Sequence, residues 1–200
     1  MSDLLLASTN RGKQREFARL LDGIPGRLVF PQDLGLHEQV PEPHHTYAEN
    51  AAEKAVAFCR ESGLPALADD SGLEVRALDW GPGVRTGRFG GDDVPDPVGL
   101  LLEHLAGVTD RRARMVCWLA LAEHRHGAEP RVELFSGAME GAVATERRGS
   151  GGFGYDPVFL LPTGMTTAEL PEAEKDRVSH RGRAVAAALP RIRELLASRP

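Results

Sequence analysis

The chain has 200 residues, enough for one domain, or for one domain of two lobes, with a sizeable buried core. Its formal net charge of −5 argues against a nucleic-acid polymer as partner, although local cations and backbone amides can still bind a small phosphate anion. No apolar run is long enough to cross a bilayer, and no signal peptide precedes Leu4. Cys59 and Cys117 lie in apolar segments, which predicts buried, reduced thiols in a cytoplasmic protein with no membrane association.

The first quarter of the chain predicts a strand and two helices. An apolar strand over 4–7 runs through polar residues into a helix that ends at Gly23. A second helix begins at Thr46, with Glu49 three positions later in a capping-box pattern, and stops at Gly63. Each helix carries apolar residues on one face, which can form its buried side.

The sequence LADDSGLEV, residues 67–75, sets two carboxylates side by side between apolar segments. Strands over 65–68 and 73–78 are predicted on either side of an acidic turn that contains Asp69 and Asp70. Asp, Ser and Gly are all turn formers, so a plain β-turn explains the stretch. Paired carboxylates with oxygen-bearing neighbours also suit a magnesium ion or a catalytic base. Taken alone, the stretch leaves both interpretations open.

The second half of the chain is richer in strands than the first. Its predicted elements are, in chain order, a helix capped by Asp96 and ending at Gly107, strands over 114–122, 129–136 and 142–145, a glycine-rich loop over 149–165, and a helix over 181–197. A hairpin is expected near Gly127, and Pro190 should kink or split the last helix. Strands and helices that alternate early, with strands clustered late, predict an α/β fold with a mixed sheet.

The sequence ASTNRGK, residues 7–13, is the first candidate binding motif. A strand that runs through hydroxyls and a glycine into a helix N-terminus offers free amides and a lysine to an anion. The Walker pattern fails, because Ala7 and Gln14 stand where it needs a glycine and a hydroxyl residue. An ordinary helix cap by Ser8, Thr9 or Asn10 is the alternative.

The polar residues around the second helix are ambiguous. Asn50 and Lys54 are four positions apart and therefore share a helix face near Glu42, but a solvated face would look the same. His44 and His45 invite a zinc hypothesis, which we reject because no further His or Cys completes the spacing.

Two late motifs could enclose a flat ligand. In GSGGFGYDPVF, 149–159, glycines allow close backbone approach and Phe153 or Tyr155 could stack on a ring. In EKDRVSHRGRA, 174–184, basic side chains gather beside a helix start, which Ser179 could simply cap.

The order of the motifs carries more information than any one of them. STNRGK, TYAENAAEKA, LADDSGLEV, GPGVRTGRFGG, GGFGYDPVF and EKDRVSHRGRA together resemble the inosine triphosphate pyrophosphatase family, from Leu4 to about Leu196. The resemblance implies one α/β domain over 1–200, with an elongated mixed sheet forming two lobes around a nucleotide cleft. It also implies a Mg²⁺-dependent homodimer that hydrolyses non-canonical purine nucleoside triphosphates (ITP, dITP, XTP) to the monophosphate and pyrophosphate.

The resemblance also implies roles for individual residues. Asp70 would accept the proton and would hold Mg²⁺ together with Glu42. The residues implied to bind substrate are Ser8, Thr9, Asn10, Arg11, Gly12 and Lys13 at the triphosphate, Lys54 and Ser71 nearby, and Phe153, Gly154, Tyr155, Asp156, Lys175, His180 and Arg181 around base and sugar. Asp69 would be a neighbour of the metal ligands or a further metal contact.

Three departures from the family pattern concern the rims of the motifs. They are Thr86-Gly87-Arg88 in place of Ser-Ala-Arg, the pair His44-His45, and Asp176 where Asn is common. They bear on rate and substrate preference more than on the class of reaction. Two other functions are consistent with parts of the chain: a septum-formation-type pyrophosphatase, which would not be expected to carry the SHR motif, and a nucleotide-binding regulator without hydrolytic activity.

Overall fold

The computed structural model describes residues 3–36, 40–91, 93–125 and 127–198. The chain divides into two compact units. The first unit comprises Met1–Asp70, Cys117–Gly137 and Arg181–Pro200, and the second comprises Ser71–Val116 and Ala138–His180. No described helix has both the length and the apolar content to cross a membrane.

The described elements alternate as an α/β protein. The helices are α1 Arg11–Leu20, α2 Tyr47–Ser62, α3 Pro97–His104, α4 Glu172–Val178 and α5 His180–Ala197. The strands are β1 Asp3–Leu6, β2 Arg27–Val29, β3 Ala66–Val75, β4 Arg112–Arg125, β5 Ala128–Val143 and β6 Phe159–Leu160. They form one sheet in the order β2-β1-β3-β4-β5-β6. Because β1 pairs in parallel with β2 and β3 while β5 and β6 are antiparallel, the predicted mixed sheet is confirmed.

In the first unit, both faces of the sheet are covered. Successive residues of a strand point to opposite faces, and Leu4 and Leu6 lie in one buried cluster while Leu5 lies in another. The first cluster contains Phe17 of α1 and Ile192 of α5. The second contains buried residues of α2, namely Ala51, Ala55, Phe58 and Cys59. Helices therefore pack on both sides of the strands, and the apolar faces predicted for α1 and α2 are their buried sides.

The second unit has one hydrophobic cluster of its own. It combines residues of β3, α3, β4 and β5 with Tyr155, Val158 and Phe159 from the middle of the 149–165 loop. The middle of the loop is therefore anchored in the core, and the glycines at 149–154 lie directly before this anchored part.

Most of the predicted helix ends are confirmed. Thr46 caps α2: its hydroxyl oxygen accepts a hydrogen bond from the Glu49 amide at 3.3 Å, and the hydroxyl lies 2.6 Å from the Glu49 carboxylate, to which it can donate. Gly63 ends α2 in the left-handed conformation, with φ of 69°. Asp96 caps α3 by accepting from the amide of Gly99 at 3.0 Å.

The predicted acidic turn is wrong. Strand β3 continues from Ala66 through both aspartates to Val75, and residues 76–78 form a short 3₁₀ turn instead of strand. Pairing with neighbouring strands overrides the turn preference of Asp, Ser and Gly, since local preference is a weak determinant inside a sheet. Residues 142–143 belong to the long strand β5 and not to a separate strand, and of the two outcomes predicted for Pro190 the split is wrong, because α5 runs unbroken to Ala197.

Candidate active site

The polar segment after β1 forms the N-terminus of α1. Asn10 is the cap among the three candidates, and its side-chain oxygen accepts from the amides of Gly12 at 2.8 Å and Lys13 at 3.1 Å. The Ser8 hydroxyl in turn accepts from the Asn10 amide at 3.3 Å. These hydrogen bonds fix the local chain, so that the Lys13 side chain extends from the first turn of the helix, close to the positive end of the helix dipole.

The two aspartates of β3 serve opposite faces of the sheet. Because β3 is extended through this point, neighbouring side chains alternate. Asp69 meets Lys13 of α1, whereas Asp70 meets Asn50 of α2. Both are buried, Asp69 completely and Asp70 with 4% of its surface exposed. Asp69 thus faces the helix layer that contains α1 and Asp70 the layer that contains α2, so the two carboxylates do not form a single cluster.

Asp69 is held between cations. Its Oδ2 lies 2.9 Å from the Nζ of Lys13 and 3.5 Å from the Nε of Arg181. Burial alone would raise the pKa of Asp69, but the charges of Lys13, Arg181 and Lys54 outweigh it and hold that pKa well below its usual range. Arg181 also donates to Glu16 at 2.9 Å. Asp69 is therefore a permanent anion that fixes the position of Lys13.

Asp70 has the opposite electrostatic environment. Burial raises its pKa, the Asn50 hydrogen bond at 2.9 Å opposes that rise, and the negative charge of Glu42 adds to it. The net direction is upward. Asn50 is itself fixed, because its side-chain oxygen accepts from the His44 amide at 3.0 Å. Neighbouring carboxylates whose environments push their pKa values apart are typical of a division between a base and an electrostatic anchor.

Lys54 joins the acidic residues of this layer. Its Nζ donates to the Glu42 carboxylate and, at 3.2 Å, to the backbone carbonyl of Asp69. Burial would lower the pKa of Lys54, but the charges of Asp69, Glu42 and Asp70 reverse the effect and raise it. Lys54 therefore stays charged among the three carboxylates.

The donor set here suits a hard divalent cation. Within 3–36, 40–91, 93–125 and 127–198, no group of three or more His, Cys, Asp or Glu is arranged to hold a metal ion. Two oxygen ligands are nevertheless what Mg²⁺ commonly takes from a protein when phosphates and water supply the rest. The negative charge of Glu42 raises the pKa of Asp70, and a divalent cation beside both carboxylates would relieve that repulsion. Glu42 and Asp70 thus fit the ion that the sequence predicts.

Six of the seven residues expected around the base and sugar lie in the second unit, and the seventh, Arg181, lies in the first. Asp156 is 3% exposed, and its Oδ2 accepts from the Nζ of Lys175 at 2.6 Å and from the Phe153 amide at 2.8 Å. The Lys175 ammonium also lies 5.5 Å from the centre of the Phe153 ring. The Tyr155 hydroxyl donates to the Thr86 carbonyl at 3.2 Å. Burial raises the pKa of this hydroxyl to about 12. Two predicted substrate residues, Asp156 and Lys175, therefore hold each other.

The structure brings the predicted residues together in two separate sets. Lys13, Lys54, Glu42 and Asp70 gather in the first unit, and Arg181 joins that unit through its contacts with Asp69 and Glu16. The second set is formed by Phe153, Asp156 and Lys175. Residues 8–12 form the entry to α1 and its first positions, where Ser8 and Gly12 are buried and Thr9, Asn10 and Arg11 are exposed. The remaining predicted residues are Gly154, which is exposed, Ser71, half-buried within β3, Tyr155, which is buried, and His180, buried at the first position of α5.

The sequence prediction missed three participating side chains. Glu16, 4% exposed, binds Arg181, which is 165 positions away, so no local pattern reveals the pair. A charged residue one turn after Lys13 and next to the core residue Phe17 was the available signal. Asn50 was noticed only as a helix-face residue, and Thr167, fully buried against Asp156, carried no motif at all.

Comparison with known proteins identifies the family. The fold and the first-unit cluster define an α/β protein with a lysine–carboxylate site beside a helix N-terminus. The Ham1 family model matches residues 4–191, and the chain belongs to that family. It is 48% identical over 196 residues to the dITP/XTP pyrophosphatase of Chromobacterium violaceum, covering 96% of this chain and 98% of the relative.

Further comparisons agree along nearly the whole chain. The dITP/XTP pyrophosphatase of Nitrosomonas europaea is 44% identical over 93% of this chain and 92% of its own. The solved structure of a HAM1 protein from Coxiella burnetii superposes with a TM-score of 0.84 at 37% identity, covering 97% of this chain and 100% of that one. The family and fold that the motif order predicts are therefore confirmed.

Proposed function

We propose that the protein hydrolyses non-canonical purine nucleoside triphosphates, dITP, XTP and ITP, to the nucleoside monophosphate and pyrophosphate. The observation that carries the proposal is the first-unit cluster near the capped start of α1. It contains Lys13 and Lys54 together with Asp69, whose pKa is lowered, and Asp70, whose pKa is raised. The names of the similar proteins point to the same substrates.

The residues of the cluster divide the work. Lys13, oriented by Asp69, binds phosphate oxygens, and Lys54 adds a second positive charge. The amides of Gly12 and Lys13 can join them only by exchanging the Asn10 side chain for phosphate. Water attacks, the bond between the α-phosphoryl group and the β-phosphate breaks, and the water proton passes to the Asp70 carboxylate. Its raised pKa makes Asp70 the better proton acceptor of the adjacent pair. Pyrophosphate and the monophosphate are then released.

Glu42 and Asp70 would hold Mg²⁺. When bound, the ion neutralises phosphate charge and polarises the reacting phosphoryl group. Activity is therefore expected to vanish in excess EDTA and to return when Mg²⁺ is restored. Full activity of thoroughly metal-depleted protein would contradict the assignment of Glu42 and Asp70 as ligands.

The residues proposed to bind the base and sugar are those that the family resemblance implies. A 6-keto purine offers an acceptor where adenine carries an amino donor, so a site built from donors rejects adenine nucleotides. The backbone amides of Gly154 and Tyr155 can supply such donors, as can His180, whereas the amides of Phe153 and Asp156 already donate within the segment. Arg181, whose guanidinium contacts Glu16 and Asp69, would have to exchange those contacts to reach the base.

The decisive experiment is a turnover panel with ITP, dITP, XTP, GTP and ATP, with pyrophosphate and monophosphate measured as products. We expect kcat/KM for the first three to exceed that for ATP by roughly 10⁴, the rejection expected from buried donors facing a donor. Release of inorganic phosphate in place of pyrophosphate, or equal rates on all five, would contradict the proposal. The same panel excludes a regulator without hydrolytic activity.

Asp70→Asn tests the proton acceptor. It keeps the shape and the Asn50 contact but loses basicity, so kcat should fall by about 10²–10⁴. The matched control is Asp22→Asn, an exposed aspartate of the same unit, which should leave kcat unchanged. Near-normal turnover by Asp70→Asn would overturn the assignment.

Two further properties belong to the proposal. We expect a homodimer, which light scattering of the purified protein would reveal as twice the chain mass of 21.6 kDa. A cytoplasmic location is expected because nucleotide pools and reduced thiols share that compartment, and Cys59 and Cys117 are buried thiols that form no disulfide with each other.

A further inference from the structure

A short turn outside every recognised motif lies against the glycine-rich loop. The 3₁₀ turn Thr167–Glu169 accepts a hydrogen bond from the Gly151 amide through the Ala168 carbonyl, at 3.0 Å. A Cβ atom at Gly149 would stand 2.5 Å from the carbonyl carbon of Ala168, so only glycine fits there. The turn and the loop are thus in direct backbone contact within the second unit.

Two further hydrogen bonds hold the same turn, and they involve Thr166, which precedes it, and Glu169, its last residue. Glu169 accepts from the Thr166 amide at 2.6 Å, and the Thr166 hydroxyl lies 2.8 Å from the Arg148 carbonyl, to which it can donate. Both hydrogen bonds fix the turn before the chain reaches Thr167. The Thr167 hydroxyl therefore has a defined position.

Thr167 completes the set of donors around Asp156. Its Oγ1 lies 2.8 Å from Oδ1 of Asp156, while Oδ2 receives the Phe153 amide and the Lys175 ammonium. Thr167 is fully buried and Asp156 nearly so. A Cβ at Gly152 would stand 2.0 Å from Oδ2, so the loop closes tightly over this carboxylate. The three donors thus hold the Asp156 carboxylate in place, and the carboxylate in turn holds the Phe153–Tyr155 backbone through the Phe153 amide.

We propose that Thr167 is a positioning residue for base recognition, acting through Asp156 on the Phe153–Tyr155 backbone and on Lys175. The inference rests on the proposed function, in which this segment contacts the purine. Thr167 touches no substrate atom in this scheme. Its hydroxyl fixes the carboxylate that in turn fixes the amides and the ammonium group.

Thr167→Val removes the donor while preserving shape. A buried hydrogen bond to a charged acceptor is then lost, and we expect KM for dITP to rise roughly tenfold while kcat stays within about twofold. The ratio of kcat/KM between dITP and dATP should narrow by a similar factor. Thr167→Ser keeps the hydroxyl and should restore both values. Thr109→Val, the same change at an exposed threonine of the second unit, is the control and should alter neither.

A purely structural role would behave differently. Partial unfolding reduces the amount of active enzyme, so the apparent kcat would fall with KM and selectivity unchanged, and this outcome would overturn the proposal. Unchanged KM and selectivity in a fully folded Thr167→Val protein would also overturn it.

Amide hydrogen exchange provides a readout that does not depend on turnover. Peptides covering 148–157 should exchange roughly tenfold faster in Thr167→Val than in Thr167→Ser, while peptides of α1 and α2 exchange as before. If the wild-type protein hydrolyses none of the triphosphates, the proposed function fails, yet faster exchange at 148–157 still supports the link from Thr167 to the loop. Unchanged exchange there would contradict the link whatever the activity.

Discussion

At the scale of residues, the adjacent pair Asp69 and Asp70 shows how one backbone direction separates two chemical roles. Because β3 is extended, alternation sends Asp69 to Lys13 and Arg181 and sends Asp70 to Asn50. The first carboxylate is stabilised as an anion, and the second is held where its charge is disfavoured. A turn at this point would not impose that separation, so the strand itself is part of the site.

The two carboxylates should therefore respond in opposite ways when neutralised. Asp69→Asn removes the buried counter-charge of Lys13 and leaves Arg181 with Glu16 alone, so the free energy of unfolding should fall by about 3–5 kcal/mol. Asp70→Asn removes a charge that burial and Glu42 disfavour, so stability in metal-free buffer should stay the same or rise. Urea denaturation of both variants at neutral pH measures the difference. If Asp70→Asn were the more destabilised variant, the assignment of the two electrostatic roles would be wrong.

At the scale of elements, local signals predicted the helices well and the strand at the site poorly. Asn10, Thr46 and Asp96 each satisfy amides within three positions, so a short window of sequence suffices to find them. The turn formers in β3 misled because partner strands, far away in the sequence, decide that conformation. The contacts between Glu16 and Arg181 and between Thr167 and Asp156 form only in the folded chain, so no sequence motif predicted them.

Pro190 offers a test at this scale. It is exposed within the unbroken helix α5, where proline removes a backbone donor and crowds the preceding turn. Pro190→Ala should raise the free energy of unfolding by about 1–3 kcal/mol, because the helical gain exceeds the roughly 1 kcal/mol lost through a more flexible unfolded chain. Thermal denaturation would reveal a higher Tm. The control Ala187→Ser, at a neighbouring exposed position of α5, should change stability by only a few tenths of a kcal/mol. A lower Tm for Pro190→Ala would mean that α5 depends on the proline.

At the scale of the whole molecule, the two units share strands while keeping separate cores. Strands β3, β4 and β5 each contribute residues to both units, yet the hydrophobic clusters of the first unit and that of the second have no described residue in common. The motif order predicted the family and the mixed sheet. The motif order could not predict that the hydrophobic core is divided between the two units, because membership of a cluster depends on which strand residues face each other.

Shared strands predict cooperative unfolding. If one unit unfolded alone, the ends of β3, β4 and β5 that remain would expose backbone donors and acceptors that the sheet now pairs, a cost that favours a single transition. The chain has two tryptophans, Trp80 in the second unit and Trp118 in the first, and each can serve as a local probe once the other is replaced by phenylalanine. Urea titrations followed by fluorescence in Trp80→Phe and in Trp118→Phe should each give a midpoint equal to that from circular dichroism of the same variant. Fluorescence and circular dichroism midpoints that separate within one variant would contradict the prediction, and the probe that changes first would identify the less stable unit.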